Sequence, residues 1–196
     1  MWAVPGRTIV AETTDGWFVR HAAILKTAFR VTFGVIWGLD AVFKFDPALV
    51  GAFPQMIADA GEGQPAWLQG WFSFWAGVTA SQPAVFVYGT GILELALAFA
   101  LVLGFMRKLA YTAGAVLSLF IWAVPEGFGG PYGPASTDIG TGIVYALVFL
   151  LLMELNATYG ASRYSLDAVI ERRWPRWARL AEFRGTTVRT GSRPGS

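Results

Sequence analysis

The run from Ala84 to Met106, AVFVYGTGILELALAFALVLGFM, constrains this chain more than any other stretch. A helix drawn through it is apolar all round, and its only charged residue is Glu94, near the centre. A surface helix of a soluble domain keeps a polar face. A helix crossing a hydrocarbon core of about 30 Å, at about 1.5 Å per residue, has no use for one. The run therefore predicts a transmembrane helix, and composition supports the same conclusion for the whole chain. Only 14% of its residues are charged and 55% are apolar, whereas soluble domains carry about 25% charged residues. Mean hydropathy is +0.48. The expected fold class is all-α integral membrane.

Three further stretches read as helices: Ala22 to Phe45, Leu109 to Val124 and Ile139 to Tyr159. Together they predict a four-transmembrane-helix bundle over residues 22–160, with an N-terminal segment 1–21 and a basic tail 161–196 outside the membrane. Arg107-Lys108 reads as a very short turn, which makes the helices on either side antiparallel neighbours. The connection 46–82 carries Trp67, Trp71 and Trp75 at four-residue spacing, on one helical face. Two placements are open for that face: an extracytoplasmic helix lying in the membrane interface, where tryptophan concentrates, or packing against the bundle. The tail, with Arg172, Arg173, Arg176 and Arg179 beside Trp174 and Trp177, reads as a basic amphipathic segment on anionic headgroups. Its last residues are expected to be disordered.

Lysine and arginine occur in the N-terminal segment, the first helix, the Arg107-Lys108 turn and the tail, and in neither of the other two loops. That positive-inside pattern predicts a multi-pass protein of the cell (plasma) membrane with both termini cytoplasmic. Residues 1–22 contain Arg7, Glu12, Asp15 and Arg20 and lack the apolar core of a cleavable signal. The lipid bilayer is the expected partner, with other membrane subunits or further copies of the chain beside it; no feature suggests nucleic acid.

The stretch Phe120 to Tyr145, FIWAVPEGFGGPYGPASTDIGTGIVY, carries the functional interest. Pro125, Pro131 and Pro134, with four glycines between residues 127 and 133, break the helix, and Ser136, Thr137 or Asp138 is suited to cap the next one. Two readings apply: a well-formed helix connection, or one wall of a small-molecule site at the membrane surface. Under the second, Lys44, Asp40, Glu126 and Asp138 are the candidates for acid, base or ligand-binding roles. Trp37, Trp122 and Tyr132 are flat aromatic surfaces expected at the same level. Deeper in the membrane, Arg30 and Glu94 are expected to form a structural pair, because an isolated charge there costs several kcal/mol; a proton relay is the alternative. With no cysteine and His21 as the sole histidine, no metal, haem or nucleotide site is expected within the chain.

Arg30-x3-Gly34 with Lys44 in the first helix, and Glu94 in the second, resemble the DoxX-like membrane proteins. The run PEGFGGPYGPASTDIGTGIVYALVFL resembles their DoxD branch, the large subunit of archaeal thiosulfate:quinone oxidoreductase. The resemblance spans roughly residues 22–160. It implies a four-helix bundle that helps pass electrons from a reduced sulfur compound to membrane quinone, and it nominates Lys44, Glu94, Glu126 and Asp138. A membrane subunit of such an enzyme is the leading expectation, and the resemblance then implies a quinone stacked against Trp37, Trp122 or Tyr132. The alternative is a non-catalytic accessory subunit of a larger respiratory or oxidase complex. A small transporter or proton path through Arg30 and Glu94 is a third.

Overall fold

The computed structural model describes residues 16–132, 136, 138–160 and 164–183, and every regular element among them is helical. The expected N-terminal segment up to residue 15, Pro134 and Thr137 of the loop, and the terminal tail from residue 184 lie outside the described residues. Helix α1 spans Trp17–Phe43, α4 Pro83–Leu103 and α6 Thr141–Tyr159, and these three are long and apolar enough to cross a membrane. Helix α5, Arg107–Ala123, has 17 residues and covers about 25 Å at 1.5 Å per residue, short of a full hydrocarbon core.

Two pairings build the bundle: α1 lies along α4, and α5 along α6. The first is close because Gly34 sits against Leu101 and Val102, where an added Cβ would come within 2.9 Å of both side chains. Gly38 faces Ala98, and Gly91 faces Lys44 and Phe45. In the second pair, Gly114 receives the Phe149 ring, whose nearest atom would lie 2.2 Å from a Cβ placed there. Small residues thus set the helix spacing, as in other membrane bundles where there is no hydrophobic drive between helices. Between the pairs, Phe33, Trp37, Tyr145 and Phe149 stack edge-on or tilted, with ring centroids 5.0 to 6.3 Å apart. They form an aromatic partition across the middle of the bundle.

The helix boundaries differ from expectation for local reasons. Gly104 adopts the left-handed conformation (φ 66°), and the Phe105 N–H donates back to the Ala100 carbonyl. This glycine closure ends α4 at Leu103. Arg107 and Lys108 consequently form the first turn of α5 instead of a connecting turn. The connection 46–82 contains two helices. Helix α2, Pro47–Ala60, starts on a proline at its first position, and the Asp46 carboxylate accepts from Ala48 N at 2.9 Å. Helix α3, Gln69–Ser81, follows one turn of 3-10 helix at Ala66–Leu68.

The tryptophan stripe does not share one environment. Trp67 precedes α3 and is 79% exposed. Trp71 donates its indole N–H to the Ala123 carbonyl at 2.9 Å, and Trp75 meets the Phe120 ring edge-on. These two fasten α3 to the last turns of α5.

The tail folds back onto the opposite end of the bundle. Helix α7, Leu166–Arg173, and the short α8, Ala178–Ala181, close over the start of α5.

Candidate functional site

The packing register brings Lys44 to Glu94. With Gly34 against Leu101 and Gly91 against Lys44, the antiparallel helices place Arg30 beside Gly104, ten positions beyond Glu94 and about 15 Å away along the axis. The expected Arg30–Glu94 pair therefore does not form. Arg30, buried, donates from Nη2 to the Tyr164 carbonyl at 3.1 Å. Lys44 Nζ instead stands 3.4 Å from Glu94 Oε2. Glu94 is only 1% exposed, and neither of its carboxylate oxygens has a hydrogen-bond donor of good geometry. The ion pair is thus close but not cemented by hydrogen bonds.

This pair lines a polar cavity of about 370 Å³ walled by Trp37, Asp40, Lys44 and Glu94 on one side and Ser118, Glu126, Thr141 and Tyr145 on the other. Trp37, 1% exposed, has an indole N–H with no acceptor among the described residues. A second, apolar chamber of about 230 Å³ adjoins it, lined mainly by Leu49, Phe53, Met56, Phe86, Val87 and Phe120. Lys44, Ile121 and Glu126 belong to both walls. The result is a polar cavity beside an apolar chamber, with one ammonium and one carboxylate in the wall they share.

Glu126 is held there by the helix it caps. It lies just past α5, and its Oε2 accepts from Gly142 N, in the first turn of α6, at 2.8 Å. A carboxylate at that position satisfies a free N–H and meets the positive end of the helix. The sequence suggested Ser136, Thr137 or Asp138 for this role. Asp138 instead accepts from Gly140 N at 2.7 Å, before the helix begins, and is exposed. The glycines permit the tight fold: Gly129 (φ 73°) lies so close to the Ile139 carbonyl that a Cβ would sit 2.0 Å from its oxygen. Trp122 donates to the same carbonyl at 2.8 Å, and Phe128 packs edge-on against the Trp122 ring. Tyr132, 64% exposed, bonds the Phe128 carbonyl and takes no part in the cavity wall.

Of the residues nominated from sequence, Lys44, Asp40, Glu94, Glu126 and Trp37 come together around one cavity. Trp122 braces its rim, while Asp138, Tyr132 and Arg30 lie elsewhere. Tyr145, Ser118 and the whole apolar chamber were not nominated; Tyr145 was within the quoted loop motif, but the α2 side of the chamber had no signal beyond an apolar pattern. Among the described residues no cluster of histidine, cysteine and carboxylate side chains is arranged to hold a metal.

Burial raises the Glu126 pKa above its ordinary value of 4.5; the Gly142 N–H opposes the shift and the Asp138 carboxylate adds to it. A carboxyl that holds its proton more tightly in the fold than in the unfolded chain contributes stability that is complete below the unfolded pKa and is lost as pH rises through the folded one. Thermal melts in detergent should therefore show stability falling as pH rises from about 4.5. Glu126→Gln, which keeps an acceptor for Gly142 and removes the titration, should flatten that slope. A slope unchanged by the substitution would assign the pH dependence to another group.

A second ionic centre lies at the far end of the bundle. Arg107, 2% exposed, meets Asp167 (Nε to Oδ2, 2.9 Å), Glu171 (3.3 Å) and Glu182 (2.5 Å). Asp167 is fully buried and also accepts from the Met106 N–H, the Arg107 N–H and the Trp177 indole. It thus caps α5 from the tail. The aromatic partition of Phe33, Trp37, Tyr145 and Phe149 separates this centre from the Lys44 cavity.

No protein-family model, curated protein or solved structure matches this chain.

Proposed function

We propose that this chain is a membrane subunit of a quinone-linked oxidoreductase, of the kind its likeness to DoxD and the DoxX-like proteins suggests, and that the Lys44–Glu94 cavity holds the quinone head. The observation that carries this reading is the adjoining pair of chambers. An isoprenoid-tailed quinone has a flat polar head and a greasy tail, and the polar and apolar chambers share Lys44 and Glu126. Lys44 Nζ and the Trp37 indole supply donors for a quinone oxygen. Glu94, Asp40 and Glu126 supply carboxylates that exchange protons with the head.

A four-span reading belongs to this proposal. Helix α5 follows α4 after Gly104, Phe105 and Met106 and packs along α6, so in this reading it crosses alongside the three longer helices despite its shorter length. The positive-inside pattern then puts the Arg107 end in the cytoplasm and the Lys44 end, with α3 at the interface, outside.

Three carboxylates and one ammonium around the cavity disfavour a dianion such as thiosulfate and favour a neutral ring. In this reading sulfur oxidation takes place on a partner, which delivers its electrons to the quinone held here; the chain's own contribution is to bind, orient and exchange protons. The aromatic partition weighs against the transporter alternative, because it separates the two groups of charges. The accessory-subunit alternative draws on exposed apolar surface at Trp67 and Phe74. It predicts recovery within a large redox assembly and no quinone on the lone chain.

The test is equilibrium binding of a short-tailed benzoquinone to the purified protein in nanodiscs. Saturable binding above empty discs is expected. Thr90→Phe, which narrows the apolar chamber, should weaken binding about tenfold, or about 1.4 kcal/mol. If the discs retain no more quinone with protein than without it, the proposal fails.

A further inference from the structure

Helix α7 divides its side chains between two tasks. Asp167 and Glu171, one helical turn apart, both turn inward to Arg107, and Glu182 from the following segment joins them. The opposite face carries Leu166, Val169 and Arg173, at three- and four-residue spacing, all exposed. The acids of the tail are thereby used up on the buried arginine. Arg172, Arg173, Arg176 and Arg179 are left exposed, and none has an ion pair or hydrogen bond among the described residues.

These arginines are not spread evenly over the surface. Arg173 and Arg176 flank an open pocket of about 490 Å³, completed by Trp174, Pro175, Trp177 and Leu180. Trp177 is fixed from behind by its bond to Asp167 at 2.8 Å and by the Phe105 ring. Trp174 turns outward and is 66% exposed.

The height of this pocket is set by the bundle. Asp167 N donates to the Gly104 carbonyl at the end of α4, and Asn156 Nδ2 to the Ala181 carbonyl near the end of α6. Lys26, more than two turns into α1, donates to the Gly160 carbonyl just past the end of α6. The tail is thus tied to the level where α4 and α6, two of the three membrane-length helices, terminate, which is where headgroups lie.

We propose that this pocket binds an anionic phospholipid, its phosphate held between Arg173 and Arg176 and its upper acyl region against Trp174 and Leu180. The charge is complementary, the arginine fork suits phosphate oxygens, and tryptophan favours the same depth. A soluble phosphate compound would meet the arginines but gain nothing from the exposed leucine and tryptophan. An acidic protein surface would not need the site at headgroup level. The proposal is independent of the quinone site, which lies beyond the aromatic partition.

The test uses the full chain purified in detergent, titrated with short-chain phosphatidylglycerol and phosphatidylcholine and read by native mass spectrometry. Selective retention of phosphatidylglycerol is expected. Each arginine near anionic lipid is worth about fivefold in affinity, so Arg173→Gln with Arg176→Gln should weaken retention by about thirtyfold. Lys108→Gln, exposed at the same end but outside the pocket, should leave retention unchanged, as should added glycerol phosphate. Equal retention of the two lipids, or unchanged phosphatidylglycerol binding in the double variant, would overturn the proposal. So would an equal loss in Lys108→Gln, or displacement by glycerol phosphate. Unchanged protease resistance of residues 164–183 will verify that the double variant keeps the tail docked.

Discussion

Lys44→Ala is expected to destabilise the folded protein by about 3–5 kcal/mol, the cost of leaving one member of a buried ion pair without its partner. Glu94 is the buried member, and its oxygens have no other donor among the described residues. Glu94→Gln removes the charge and should restore most of the loss in a Lys44→Ala/Glu94→Gln double variant, giving a large coupling energy in a double-mutant cycle. An apolar replacement of both, Lys44→Met with Glu94→Leu, goes further. At 3.4 Å and without a good hydrogen bond, the pair offsets its desolvation poorly, so the apolar variant should equal or exceed the native stability. It should also lose quinone binding. That combination, more stable and unable to bind, would separate a functional pair from a structural one. Unfolding in detergent checks the first half and the nanodisc assay the second. A Lys44→Ala variant as stable as the native protein would show that the pair is not formed.

The membrane class and the existence of the main helices were legible because apolar content and length are properties of single segments. Glu126 and Lys44, nominated because each charge lies beside a Gly/Pro break or near a helix end, do line one cavity. The pairing of charges was not legible. Whether Glu94 meets Arg30 or Lys44 depends on how α1 slides along α4, and that is set by the contacts of Gly34 and Gly91. A sequence shows that those glycines exist, not what each one receives. Helix α2 was obscured by Pro54 in its interior, which argues against a helix unless the Asp46-Pro47 start is given more weight. The Glu126 cap on α6 was hidden because capping is normally sought within a few residues of the helix start, and Glu126 reaches Gly142 across the loop. The tail presented the opposite difficulty. Its arginines dominate the composition and suggest a surface segment, while the acids that hold it in place, Asp167 with Glu171 and Glu182, are three among many basic residues.

Asp167 and Arg107 give the second large expected effect. Arg107→Ala leaves Asp167 fully buried and places Glu171 and Glu182 beside it with no cation between them. The loss should again be about 3–5 kcal/mol, but it should be local, because the tail can leave while the helices stay. Hydrogen exchange should therefore accelerate across Leu166–Ala181 and the first turn of α5, with α4 and α6 unchanged. Asp167→Asn separates the two roles of the carboxylate. It keeps an oxygen to accept from Met106 or Arg107 N–H and removes the charge facing the guanidinium. Exchange in the first turn of α5 should then stay closer to native than in Asp167→Ala, while tail exchange rises in both. If Arg107→Ala leaves tail exchange at the native rate, the buried network does not hold the tail. Docking would then rest on Trp177 against Phe105 and on the Asn156 contacts with Ala181 and Glu182.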